Sequence, residues 1–304
     1  RQTRYCDPTT RNLFIMIVYL HLVLIAAIQG ITEFLPVSSS GHLVLLPNLT
    51  SLPDQGQTLD VAAHAGTMIA VMVYLRRDIA EMLSGLFSPA GTRTDQAIGA
   101  RYLVGILILA SLPVIILGLF FEFLDPSFLR LTMTVAIANL ICAGWLFLAD
   151  KGPILHDITG ATAPQDTDKS GHHMIDWRQL SVRDACYIGL AQVIALIPGA
   201  SRSGVTMTMA RQLGYDRLSA ARFSLLLSLP VIAGASLVKG ASLAAAPQKD
   251  QLISAGIVAV LSFIFALGAI RWMMGWLSRT DFSAFVWYRL GLGIVLLGYL
   301  AIGG

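Results

Sequence analysis

Two apolar stretches of this chain are each long enough to enter a membrane, and each is broken in its middle by polar residues, glycine and proline. Residues 13–46 are interrupted by Glu33, Pro36, the serines Ser38, Ser39 and Ser40, then Gly41 and His42. Residues 185–213 are interrupted by Pro198, Gly199, Ser201, Arg202, Ser203 and Gly204. Proline lacks an amide hydrogen and clashes with the preceding turn, so neither stretch continues as one helix. Each reads as two short helices joined by a polar bend. Non-helical backbone at membrane depth survives only where protein or a water-filled cavity surrounds it. Both bends are therefore expected to be re-entrant hairpins that meet inside a helical bundle.

The remainder of the chain supplies that bundle. A spanning helix takes about 20 mostly apolar residues, and six segments qualify or nearly so: roughly 60–75, 102–122, 128–149, 222–243, 252–274 and 284–302. Composition agrees, with 55% hydrophobic and only 13% charged residues. A soluble domain carries about twice that charge, which excludes a soluble enzyme, a disordered chain and a nucleic-acid binder. The net charge of +3 is spread over scattered loop residues and forms no polyanion-binding run. The three cysteines, Cys6, Cys142 and Cys186, lie far apart, which suggests neither a zinc site nor a disulfide framework. The fold class expected is an all-α polytopic membrane protein with six transmembrane helices and two re-entrant helical hairpins.

The two bends resemble each other. A shift of 163 residues superposes Gln29 on Gln192, Ser38 on Ser201, Ser40 on Ser203 and Gly41 on Gly204. Each is followed by three spanning candidates, an odd number, so the repeats are expected to be inverted, with the binding site at the paired broken segments. Residues 1–15 are expected to be a non-native or upstream extension and 16–304 a single membrane domain. Within it, repeat one covers about 16–149, a cytoplasmic loop about 150–184, and repeat two about 185–304. Arg76, Arg77, Arg93 and Arg101 lie in 76–101, Lys151, Lys169, Arg178 and Arg183 in 150–184, and Arg279 in 275–283. The positive-inside rule makes these connections cytoplasmic and leaves 123–127 and 244–251 external.

Ionisable groups at membrane depth are costly and are functional candidates by default. Glu33 and His42 flank the first bend and Arg202 lies on the second. The run Ser38–Ser39–Ser40–Gly41 offers hydroxyls and backbone N–H groups at a helix start, where phosphate is attracted. Ser201–Arg202–Ser203–Gly204 offers the same, with a guanidinium fork that fits two phosphate oxygens. Two such cradles facing one another suggest a diphosphate.

The run Gln29-Gly30-Ile31-Thr32-Glu33-Phe34-Leu35-Pro36-Val37-Ser38-Ser39-Ser40-Gly41-His42 resembles the signature of undecaprenyl-diphosphate phosphatases, the bacitracin-resistance family. Pro198-Gly199-Ala200-Ser201-Arg202-Ser203-Gly204-Val205-Thr206 is similar to that family's second motif, and Asp60-Val61-Ala62-Ala63-His64-Ala65-Gly66-Thr67 to its third spanning pattern. The resemblance implies a hydrolase of the bacterial inner membrane that converts undecaprenyl diphosphate to the monophosphate and phosphate. Its site would lie toward the external face, recycling the lipid carrier for cell-wall synthesis and conferring bacitracin resistance. It also implies a divalent cation, Mg²⁺ or Ca²⁺, a polyprenyl diphosphate lipid as the partner, and leaves a homodimer open.

By position, Glu33, Ser39, His42 and Arg202 would be catalytic. Ser38, Ser40, Gly41, Ser201, Arg202, Ser203, Gly204 and Thr206 would bind the diphosphate, and Glu33 with Gln29 would hold the metal. The i, i+4 spacing sets Gln29 and Glu33 on one helical face. With glutamine at position 29 only one carboxylate is present, a pattern suited to Mg²⁺ held partly by substrate oxygens. The nucleophile is Ser39 activated by His42, His42 itself, or water.

Plainer roles stand beside these. The serines serve equally as helix caps, Gln29 and Gln192 as interhelical glue, and His64 and His21 as packed, hydrogen-bonded histidines. Lys239 reads as a snorkelling residue and His172–His173 as solvated. The rival function is a lipid flippase or transporter, since inverted repeats with facing broken helices also build transporters.

Overall fold

The computed structural model describes residues 8–43, 56–89, 94–124, 129, 131–156, 177–244 and 249–302. Parts of the expected loops, including Asp125, Lys169 and His172–His173, lie outside the described residues, as do Cys6 and the side chain of Lys239. Helices dominate: α1 (Pro8–Thr32), α2 (Gly56–Tyr74), α3 (Arg76–Phe87), α4 (Asp95–Leu124), α5 (Thr132–Asp150), α6 (Val182–Gln192), α7 (Arg202–Gln212), α8 (Arg217–Ala244), α9 (Lys249–Leu277) and α10 (Ser283–Ala301). Five helices are long and apolar enough to cross a membrane, and a sixth span results if α2 and α3, bent by 81°, are counted as one.

Two expectations change. The first apolar stretch opens with a 25-residue helix rather than a short one, because Pro8 suits a helix start and nothing before Glu33 interrupts it. Within 76–101, residues 76–87 and 95–101 are helical rather than loop. Ile79, Met82, Leu83 and Leu86 recur at helical spacing and make α3 an amphipathic helix. Arg101 reaches its C-terminal end, donating to the carbonyls of Gly85 (3.1 Å) and Ser88 (2.9 Å), while Arg222 pairs with Asp78 at 3.0 Å and ties α3 to α8.

Close helix contacts rest on small residues, as expected where lipid gives helices no hydrophobic reason to associate. Gly30 of α1 lies against Ser262 and Phe265 of α9, and Gly189 of α6 against Ala110 of α4. Helix α1 thus packs on α9 as α6 packs on α4, while α5 lies along α10. Away from these contacts the spans present Ile116, Phe120, Val260, Ile264, Trp287 and Ile294 outward, apolar faces whose solvent is the bilayer.

Both bends break the helix in the same way. Ser38 (φ 74°) and Ser201 (φ 69°) are the two non-glycine residues of positive φ among the described residues. That backbone costs a side-chain-bearing residue about 1–2 kcal/mol, offset here by capping. The Ser38 hydroxyl accepts from Gly41 N–H at 3.2 Å, and the Ser201 hydroxyl from Gly204 N–H at 3.1 Å. A new helical turn opens at Ser39, and α7 opens at Arg202.

The far end of α7 is anchored just as firmly. Arg211 and Arg217 both reach the Asp150 carboxylate, at 3.3 and 2.7 Å, and Asp150 also accepts from Phe282 N–H at 3.0 Å. This joins the ends of α5, α7 and α8.

Gly199, in the second bend, has φ +95° and its missing side chain would collide with the Val135 carbonyl. Gly199→Ala is expected to destabilise by about 2 kcal/mol or more, read as a lowered unfolding temperature in detergent. Gly105→Ala, which meets open space, is the control that leaves it unchanged.

Candidate active site

The last turn of α1 carries Gln29, Glu33 follows directly after the helix ends, and the amide of Gln29 donates to Glu33 Oε2 at 2.9 Å. Arg202, at the start of α7, donates from Nη2 to Glu33 Oε1 at 2.9 Å. The two side chains are 8% and 12% exposed, so a carboxylate and a guanidinium from opposite halves of the chain neutralise each other out of water. Ser39 donates to the second carboxylate oxygen at 3.0 Å. One carboxylate therefore organises the amide, the serine and the arginine.

The bends also grip each other's backbone. Ser40 Oγ accepts from Gly199 N–H at 3.0 Å, and Ser203 Oγ donates to the carbonyl of Leu35 at 2.9 Å. Ser40 and Ser203 are the pair related by the 163-residue shift, so the exchange is reciprocal. The expected meeting of the two bends is what the structure contains.

Several expected phosphate-binding hydroxyls are spent on this scaffold. Ser38, Ser201, Ser203 and Thr206 are buried. Ser38 and Ser201 cap their helices. Thr206 donates to the Arg202 carbonyl at 2.9 Å and shares a 2.7 Å bond with Ser224. Gly41 and Gly204 offer only backbone, and Gly204 faces Arg289, whose Nη1 would lie 2.7 Å from a Cβ there. Arg202 and Ser39 remain as the groups whose polar ends meet at the Glu33 carboxylate.

His42 does not join the carboxylate. Its Nδ1–H donates to the Ser38 carbonyl at 2.7 Å, which leaves Nε2 as the basic atom, and that atom accepts from the Tyr288 hydroxyl at 2.6 Å. Ser39 donates to Glu33 and not to His42.

Two residues escaped the sequence reading. Tyr288 holds His42. Arg289, wholly buried, donates to the carbonyls of Gly199 (3.0 Å) and Ala200 (2.9 Å) and to Asn139 Oδ1 (2.9 Å), bracing the second bend from α10. A lone arginine in the middle of an apolar span was signal enough to find it. His64, for which a packed, hydrogen-bonded role is the plainer reading of the sequence, faces the site: Gln29 donates to its Nε2 at 3.1 Å, and Glu33 Oε2 lies 3.9 Å away.

Fold and site together define a multi-pass, all-helical membrane protein with a partly buried Glu–Arg–Ser cluster. The family model described as "Bacitracin resistance protein BacA" matches residues 22–295. The chain is 44% identical over 280 residues to the undecaprenyl-diphosphatase of Ruegeria pomeroyi, covering 91% of this chain and 97% of that one. It is 39% identical over 294 residues to the undecaprenyl-diphosphatase of Erythrobacter litoralis, covering 92% and 99%. The chain belongs to the bacitracin resistance protein BacA family.

Proposed function

We propose that this protein hydrolyses undecaprenyl diphosphate to undecaprenyl phosphate and phosphate, which recycles a lipid carrier for cell-wall synthesis and confers bacitracin resistance. The observation that carries the reading is the single carboxylate, Glu33, holding Arg202 on one oxygen and Ser39 on the other. A phosphate-binding cation and a nucleophilic hydroxyl are thereby set side by side, as phosphoryl transfer requires.

Ser39 Oγ attacks the terminal phosphorus, and its proton passes to His42 Nε2, which exchanges Tyr288 for the nucleophile. The bond from that phosphorus to the bridging oxygen breaks, undecaprenyl phosphate leaves, and water then cleaves the phosphoserine. Arg202 and the N-terminus of α7 hold the phosphate oxygens. The isoprenoid tail follows the apolar groove lined by Ile31, Leu35, Phe265, Ala269 and Trp272, whose first two residues flank Glu33 in sequence.

The residues fit a divalent cation, Mg²⁺ or Ca²⁺: Gln29 Oε1 is buried without a hydrogen-bond partner beside the carboxylate. Gln29 and Glu33 would hold it. When bound, such a cation supplies charge neutralisation to the diphosphate.

The finer architecture belongs to the same proposal. The matched φ values of Ser38 and Ser201, their matched caps and the parallel packing of α1 on α9 and α6 on α4 support two re-entrant hairpins in an inverted repeat. The arginine-rich ends near Arg76, Arg101 and Lys151 support a cytoplasmic placement for that side of an inner-membrane protein, with the site open toward the external face.

Phosphate release from undecaprenyl diphosphate by purified protein in detergent, with and without chelator, tests the reading. Release that falls on chelation is expected. A flippase needs two sealed compartments and releases nothing in detergent. Tyr288→Phe is expected to change the rate by less than about tenfold, since one hydrogen bond between neutral groups contributes about 1 kcal/mol, whereas His42→Ala abolishes release.

A further inference from the structure

Among the described residues no three His, Cys, Asp or Glu side chains converge to hold an ion. Two, His64 and Glu33, lie 3.9 Å apart with the Gln29 amide between them. His64 Nδ1 donates to the Asp60 carbonyl at 2.8 Å, so a neutral ring turns the Nε2 lone pair toward Gln29 and Glu33. Metal-ligating histidines almost always have their other ring N–H fixed in this way. The Gln29 amide nitrogen lies 2.9 Å from Glu33 Oε2 and 3.1 Å from His64 Nε2. It bridges these two acceptors, of which Glu33 Oε2 also accepts from Ser39, while its own oxygen is buried without a partner. Those acceptors are 3.9 Å apart, a span that one ion with bonds of about 2.1 Å covers at a wide ligand–metal–ligand angle. The His64 side chain is 37% exposed, which leaves a path for an ion to reach it.

We infer that His64 is a ligand of the divalent cation, its Nε2 joining Glu33 Oε2 and Gln29 Oε1 once the Gln29 amide turns over. The ion takes the place of the amide hydrogens between the two acceptors, and the freed carbonyl oxygen becomes the third donor. An imidazole in the set moves the site's preference away from an all-oxygen cation and toward Mn²⁺ over Mg²⁺, since nitrogen donors follow the transition-metal affinity order. The inference rests on the phosphatase reading only for the expectation that a divalent cation takes part.

The test uses purified full-length protein in detergent with Mn²⁺ alone, read by pulsed electron paramagnetic resonance. One bound Mn²⁺ per chain with a directly coordinated ¹⁴N is expected in the wild type. The nitrogen signal should vanish in both His64→Ala and His64→Asn, with Mn²⁺ affinity reduced roughly tenfold or more, and the Mn²⁺-over-Mg²⁺ preference should shrink by a similar factor. Loss of the nitrogen in both variants, one of which retains a polar side chain, separates ligation from a folding defect. A bound Mn²⁺ with no nitrogen neighbour, a nitrogen signal that survives both substitutions, or no stoichiometric Mn²⁺ binding overturns the assignment. Phosphate release by the same wild-type sample is scored separately. Nitrogen-bound Mn²⁺ without phosphate release would contradict the phosphatase reading and leave the ligand set standing, and the opposite pair of results would do the reverse.

Discussion

Arg202→Ala is expected to lower kcat/KM for phosphate release by roughly 10³-fold or more, the scale of an arginine that meets phosphoryl-transfer charge. The substitution does two things. It removes the fork that holds phosphate oxygens, and it leaves Glu33 ionised in a site where that side chain is 8% exposed. The second effect costs about 3–5 kcal/mol of stability, the price of stripping one partner from a buried ion pair. The combined Glu33→Gln/Arg202→Ala protein should therefore recover much of the lost stability and none of the activity. Arg202→Lys keeps the charge without the planar fork, and it should retain only a small part of the rate. An Arg202→Ala protein that turned over within tenfold of wild type would remove Arg202 from the mechanism.

Ser39→Ala should be more severe in rate and milder in stability. The half-exposed hydroxyl makes one hydrogen bond, to Glu33 at 3.0 Å, whose removal costs about 1 kcal/mol or somewhat more because the acceptor is charged. Loss of the nucleophile removes the covalent route, and roughly 10⁴-fold loss of kcat is expected. Quenching in denaturing detergent at neutral pH, which preserves both phosphoserine and phosphohistidine, with substrate labelled in its terminal phosphate should trap the label on Ser39 in the wild type and on nothing in the variant. Near wild-type turnover by Ser39→Ala, or label on His42, would reassign the attack to water or to the imidazole.

The reading of the sequence reached far into this molecule because its strongest signals were local. Proline and glycine set among polar residues inside apolar runs marked the two breaks, whereas Pro113 and Pro230 lie within continuous helices, and the matched spacing of the two broken runs picked out Ser38 and Ser201, the residues that share an unusual backbone. The pairing of Glu33 with Arg202 followed once both breaks were taken to meet. What sequence did not disclose was how each hydroxyl would be spent. Ser38, Ser203 and Thr206 look like phosphate ligands in a motif, yet burial left them to satisfy backbone groups that had no water to turn to. Nor did the sequence show that His42 would face Tyr288, since that contact depends on how α10 rotates against the first bend. Helix α3 was obscured by its charges. Four ionic residues among twelve read as a loop, although its apolar positions keep helical spacing. Arg289 lay in plain view in the last span and went unweighed.

A double-mutant cycle in phosphate release, using Glu33→Gln, Arg202→Met and the pair together, measures whether the halves of the chain share one headgroup pocket. If both side chains serve the same phosphate, the combined protein should be hardly slower than the worse single variant, as for groups that act as a unit. Losses that simply multiply would mean that Glu33 and Arg202 work independently, and the shared pocket would have to be abandoned.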